Sequence, residues 1–457
     1  MKGFYNRIRS VLTLGIAIIF LLNLFIKSNL INDCNLILML IVVGLSFIVV
    51  SSTTLIIGGM LFGLSIILFL FYHAPLSVWQ QALQENIYLV VMFTLVPLLG
   101  IPIRHGGYFE ALQGLFRRYV YSSSRFYLLV SFVSAFVGVL VNLAVVPLVL
   151  QISEASSISS NKKLLSSAIL RGFATCTIWA PTTAAIALIV QLSGASWILF
   201  FPYAILFGVM SGLVGYFMTM YEEKRADKPL ASVVEEPDLE FDVGKIVELS
   251  IFSIILISAI AVVSLLTGMH TVIVVSLAAL IYPVIWLGII GRLRILMRDF
   301  KCYFNESLPK LQNEIILFVG AGLFATSINY SHLGNYVSVI LSKSVGQNAL
   351  LLAIVIIIAI LMLSALGIHP IIPVTIIGGT VKAAAYGVTP TYLALILAIS
   401  WAMGISISPS SATVIALSGM TGQSPIYVGP RWNGLYVLIA SGVMLTTLTI
   451  IRLIGWV

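Results

Sequence analysis

Residues 179–184 read Trp-Ala-Pro-Thr-Thr-Ala and residues 407–412 read Ile-Ser-Pro-Ser-Ser-Ala, each inside an apolar stretch long enough to cross a bilayer. Proline removes a backbone donor and stops a helix, so carbonyls and amides around it lose their partners. Hydrocarbon tolerates that only where protein or a water-filled cavity satisfies them. The chemistry on offer is ion binding. Half-helix N-termini attract anions through their amides and dipole, while exposed carbonyls and hydroxyls at the opposite ends can coordinate a dehydrated cation. Two such breaks at corresponding places in two halves point to the binding site of a secondary transporter.

Two other apolar stretches are interrupted near their middles. Residues 126–153 contain Leu140-Val-Asn-Leu-Ala-Val-Val-Pro147, and residues 350–386 contain Leu366-Gly-Ile-His-Pro-Ile-Ile-Pro373. Both read as re-entrant hairpins with polar or strained tips. The candidate substrate-binding residues are Asn142, Pro147, Pro181, Thr182, Thr183, His369, Pro373, Ser408, Pro409, Ser410 and Ser411. The candidate cation ligands are oxygens of Val141, Asn142, Ala180, Gly367, Ser406 and Ser408. Histidine is the side chain that titrates near neutral pH, so His369 is an expected contact for substrate or proton. Arg171 and Lys382 also fall in apolar runs, near enough to an interface to snorkel.

The elements that hold these residues are membrane spans. Sixty per cent of the residues are hydrophobic, 9% are charged and the mean hydropathy is +1.11, which excludes a soluble globular protein. Spanning stretches fall near 10–27, 35–51, 54–72, 87–103, 164–193, 197–219, 246–267, 271–290, 314–330, 391–420 and 432–453. The expected fold is therefore an all-α polytopic membrane protein of about 11 transmembrane helices plus two re-entrant hairpins in two inverted repeats.

With the N-terminus inside, 19 of the 24 Lys and Arg lie in cytoplasmic segments, clustered around 2–9, 104–125, 162–163, 224–245, 292–310 and 431. This bias is what the positive-inside rule demands, so the net charge of +8 is a signal of topology and not of nucleic-acid binding. The expected placement is the cell membrane, with a cytoplasmic N-terminus and an extracytoplasmic C-terminus. The chain divides into an extra span in 1–34 and a first repeat in 35–220, with its hairpin in 126–153 and broken helix in 164–193. A charged cytoplasmic linker in 221–245 leads to a second repeat in 246–457, with its hairpin in 350–386 and broken helix in 391–420. Pro147 and Pro373 are 226 residues apart and Pro181 and Pro409 are 228 apart, a nearly constant offset.

These features resemble the ion transporter superfamily, particularly its divalent-anion/sodium symporter and citrate carrier branches. Members of that family carry Ser-Asn-Thr at the hairpin tips, a proline soon after, and a proline-containing break in the following span. Asn142 and Pro147 match the first tip, with Val141 and Leu143 at the flanking positions. The second tip keeps Pro373 but has Gly367-Ile-His-Pro370 in place of an Asn motif. Pro181 and Pro409 match the break prolines, with Thr182, Thr183, Ser410 and Ser411 as the hydroxyl complement. The resemblance implies a secondary active transporter in which a hairpin domain moves against a scaffold.

The expected activity is transport of a small organic or inorganic anion coupled to sodium or protons. A flippase for a lipid or lipid-linked precursor is the alternative. An enzyme is not expected, because the spans offer no paired carboxylates and no nucleophile beside a base. The cysteines Cys34, Cys176 and Cys302 match no metal or disulfide spacing. No cofactor is expected beyond the coupling ion. The expected partners are a small anionic solute, membrane lipids and a second copy of the chain in a homodimer, with no nucleic acid.

Overall fold

The computed structural model describes residues 2–225 and 242–456. Among them every regular element is helical. Twelve helices are long and apolar enough to cross a membrane. Eleven coincide with the expected spans, and the twelfth, Ser123–Ser153, is the first hairpin. The shorter apolar helices Ala349–Ala365 and Ile371–Thr380 make the second. The chain is a multi-pass membrane protein. Most of the expected linker, 226–241, lies outside the described residues; its flanks continue the helices Trp197–Arg225 and Val243–Thr267.

Two compact units are present. The first comprises Met1–Pro102, Ser258–Gln347 and Thr375–Ala385. In it the helix Gln312–Tyr330 packs against Ser52–Phe71 and Asn29–Val49. The helical run that carries its span begins further back, at Arg294, because a π-helical turn Tyr303–Ser307 and a 3-10 turn Leu308–Leu311 join it to the polar helix Arg294–Cys302. Glu314, in the first turn of Gln312–Tyr330, has its Oε2 buried without a partner among the described residues.

The second unit comprises Ile103–Ile257, Asn348–Val374 and Tyr386–Val457, and it contains every candidate site residue. Its hydrogen bonds fix the path of each hairpin. At the end of Trp197–Arg225, Glu223 accepts from the amides of Ser123 at 2.9 Å and Ser124 at 3.1 Å, where the first hairpin begins. The neighbouring Glu222 pairs with Lys163 at 3.3 Å, just after that hairpin has ended. Both ends are thus held at one place, so the segment turns back instead of crossing. In the second hairpin, the Tyr392 hydroxyl donates to Ala349 O at 3.1 Å, bringing the start of Ala349–Ala365 to the start of Pro390–Ile407.

The two hairpins open toward opposite ends of this unit. Trp197–Arg225 and Trp432–Leu453 run antiparallel, since Tyr203 meets Trp456, Met210 meets Thr447 and Ser211 meets Tyr436. The first hairpin is anchored at the C-terminal end of the former helix. The second is anchored beside the C-terminal end of the latter, where Arg452 donates to Gly387 O at 2.8 Å.

Candidate functional site

Each broken span consists of an 18-residue helix, a short extended break and a 10-residue helix. The first is Lys162–Trp179 followed by Ala184–Ser193, and the second is Pro390–Ile407 followed by Ala412–Thr421. Every boundary is displaced by 228 residues between the copies. Local chemistry accounts for the starts: the Asn161 side chain caps the Leu164 amide, and Thr389 caps the Tyr392 amide ahead of Pro390 at the first helical position. Gly194 at φ 68° and Gly422 at φ 67° close the two distal halves with the left-handed turn that glycine adopts at no steric cost.

The breaks satisfy much of their own backbone. In the first, Thr182 Oγ1 donates to Val139 O at 2.5 Å and Thr183 Oγ1 donates to Ala180 O at 2.8 Å. The Ala180 carbonyl also accepts from the Thr183 amide at 3.1 Å, so two donors already occupy this expected cation ligand. In the second, Ser411 Oγ donates to Ile405 O at 2.8 Å, Ser408 Oγ lies 3.0 Å from Ser410 Oγ, and Ser406 Oγ donates to Ala402 O at 2.9 Å. Pro181, Thr182, Thr183, Ser406, Ser408 and Ser411 are buried, whereas Pro409 and Ser410 are half-buried.

Each hairpin tip meets the break of its own half. At the first tip Asn142 has φ 53° and ψ −135°, a conformation that costs a non-glycine residue on the order of 1–3 kcal/mol. Its half-buried side chain makes no hydrogen bond among the described residues. The Val139 carbonyl, one turn earlier, is the one that Thr182 reaches. Pro147 occupies the third position of Val145–Ser153, where a proline costs no helical hydrogen bond. Pro373 occupies the same position in Ile371–Thr380.

At the second tip Gly367 has φ 95°, and a Cβ there would lie 3.9 Å from Pro409 Cγ. His369 is half-buried with its ring edge-on to Trp401, centroids 6.2 Å apart. Its Nδ1 accepts from the Ile371 amide at 3.2 Å, which leaves Nε2 to carry the proton of the neutral ring.

The two halves also meet each other. Lys162–Trp179 packs against both Pro390–Ile407 and Ala412–Thr421, and Pro390–Ile407 packs against Ala184–Ser193. The broken spans therefore pack side by side and antiparallel, and Lys162 Nζ donates to Thr421 O at 2.9 Å. The candidate residues gather as two tip-and-break pairs, one holding Val141, Asn142 and Ala180 to Thr183, the other holding Gly367, His369 and Ser406 to Ser411. No group of three or more His, Cys, Asp or Glu able to hold a metal ion occurs among the described residues. Neither broken span contains an Asp or Glu, and none occurs from 348 to 457.

Two features escape a reading of the sequence. Ser364 Oγ is buried without a partner, at the last turn before the second tip and beside Pro370 and Gly404. Arg171 does not snorkel. It is 6% exposed, and its guanidinium donates to Asn433 Oδ1 at 2.7 Å and Trp432 O at 3.2 Å while lying 4.4 Å from the Tyr436 ring centroid. An inward-facing polar partner 262 residues away carries no local signal. The exposed Lys382 fits the interfacial reading.

Neither a protein-family model nor a curated relative matches this sequence. Solved structures do share its fold. The YdaH transporter of Alcanivorax borkumensis superposes with a TM-score of 0.58 at 14% identity, over 89% of this chain and 99% of that one. MtrF of Neisseria gonorrhoeae, described as illuminating a class of antimetabolite efflux pumps, superposes with a TM-score of 0.55 at 14% identity, over 77% of this chain and 80% of that one. The chain has the fold of solved membrane transporters.

Proposed function

We propose that this protein is a secondary active transporter that moves a small organic or inorganic anion, coupled to sodium or protons, by alternating access. The observation that carries the reading is the pair of congruent broken spans packed antiparallel inside one unit, each with a hairpin tip against its break. Paired half-helices of this kind present N-terminal amides to an anion and C-terminal carbonyls to a cation. The fold shared with YdaH, a transporter, and MtrF, an efflux pump, supports transport in general. The resemblance to the ion transporter superfamily supports ion coupling.

On this reading the hairpin-bearing unit is the mobile part and the first unit is the scaffold. The positive-inside bias supports a cytoplasmic N-terminus, and eleven crossings then put the C-terminus outside.

Uptake into proteoliposomes tests the function. Accumulation of an anion that depends on an imposed sodium or proton gradient is the expected result. Lipid scrambling with no gradient-driven accumulation of any soluble anion would establish the flippase alternative and sink the carrier.

A further inference from the structure

Two basic side chains are buried among the described residues, Arg9 and Arg171. Arg9 belongs to the first unit, where it caps the Pro309 carbonyl and bonds Gln312 Oε1 at 3.2 Å near the start of its span. Arg171 is the buried charge of the unit that holds the candidate site. It stands nine residues from Lys162 and nine from Ala180, about 13 Å along the axis from the break at 1.5 Å per residue. That puts it inside the packed bundle, and its contacts hold it there.

A charge in that position is costly unless paired. Its partners here are a side-chain amide, a carbonyl and the face of Tyr436, with the Tyr127 ring centroid 5.7 Å away. All are neutral, so they orient the guanidinium and leave its net charge intact. The helices around it offer no compensation: Lys162–Trp179 and Trp432–Leu453 contain no acidic residue, and the acidic residues Glu222 and Glu223 sit at the far end of Trp197–Arg225. A purely structural link between Arg171 and Asn433 could be made by an amide at lower desolvation cost. A retained charge calls for a counter-charge that arrives from outside.

We propose that Arg171 is the charge-setting residue of the transport site: its uncompensated field selects anions. This deepens the anion reading above and rests on it. It makes Arg171 a specificity determinant that acts through space and does not touch the substrate. At about 13 Å and an effective dielectric near 20, a single charge is worth roughly a tenfold change in affinity for a monoanion and about a hundredfold for a dianion.

The test uses the purified full chain with sodium benzoate and sodium succinate as probes near pH 7.5, at constant ionic strength. Apparent affinities come from thermal stabilisation, since a ligand that binds only the folded state raises Tm. Arg171→Gln should weaken benzoate roughly tenfold and succinate about a hundredfold. Arg171→Lys, which keeps the charge but loses the planar fork, should hold both within about threefold. An equal loss for both anions in Arg171→Gln, no loss for either, or a loss in Arg171→Lys as large as in Arg171→Gln would each overturn the proposal and leave the anion site standing. Binding of neither probe by the wild type, with no other anion driven into proteoliposomes by a gradient, removes the anion reading and this inference with it.

Discussion

Ala180 and Ser408, 228 residues apart, share one backbone conformation, φ −74° and ψ 122° in the first and φ −76° and ψ 122° in the second. Each precedes a proline, which disfavours the helical region for the residue before it and drives it to extended geometry. Thr183 and Ser411 then restart the chain from ψ 143° and 142°. The same local rule thus builds both breaks, in copies of the chain that run in opposite directions.

Removing that rule should close the breaks. Pro181→Ala or Pro409→Ala restores the missing donor and lifts the restriction on Ala180 or Ser408, so the helix can propagate through. Initial uptake into proteoliposomes should fall at least ~10-fold for each variant, with insertion and yield near wild type. Full uptake in both would make the prolines simple kinks.

Two glycines separate packing from site effects. A Cβ at Gly172 would lie 2.4 Å from the Ser131 carbonyl oxygen, a backbone atom that cannot step aside. Gly172→Ala should destabilise the protein by roughly 1–3 kcal/mol, read as a lower Tm. A Cβ at Gly404 would lie 3.0 Å from both Pro370 Cγ and Ser364 Oγ, which are side-chain atoms at the second tip. Gly404→Ala should lower Tm less but shift the tip and cut uptake several-fold. Equal Tm losses with equal uptake losses would show that the tip has no special role.

For His369 the capping bond decides the outcome. Protonating Nδ1 removes the acceptor for the Ile371 amide, so acidification that charges the ring should lower uptake. His369→Asn retains an acceptor and a donor, and should flatten the pH profile while keeping measurable binding. His369→Leu supplies neither and should lose substrate affinity. Unchanged profiles and affinities in both variants would leave His369 as packing against Trp401.

Topology can be read by thiol labelling once the accessible native thiols Cys34 and Cys302 are replaced by serine. Ser157 and Ala385 are exposed near the bases of the two hairpins. With a cytoplasmic N-terminus, Ser157→Cys should resist an impermeant reagent in intact cells and Ala385→Cys should react. Reaction of both from the same side would dissolve the opposed arrangement.

Much of the fold was legible because bilayer physics writes long patterns. Eleven spans, both hairpin tips and both breaks follow from apolar run length and from prolines at Pro147, Pro181, Pro373 and Pro409. What was not legible depends on distant partners. The helical run holding Glu314 starts at Arg294 because a π turn joins a polar helix to the span, and hydropathy alone breaks there. Arg171 looked interfacial because its distance from Lys162 is compatible with snorkelling; only Asn433 and Tyr436, folded onto it from the far end of the chain, turn it inward. Within the site, Thr182 and Thr183 were identifiable as polar break residues. That Thr182 is already committed to Val139 O, leaving the Asn142 amide the freer group, is a matter of three-dimensional register.

The absence of acidic side chains from both broken spans bears on the order in which ions bind. Where a carboxylate lines a cation site, sodium can load first and prepare the pocket for its companion. Here neutral oxygens would have to hold sodium against the field of Arg171, and they hold it well only when an anion already sits beside it. On the proposed function the two ions enter as a pair or with the anion leading. An empty carrier then has little grip on sodium, and slippage of the cation alone is suppressed by electrostatics instead of by a gate.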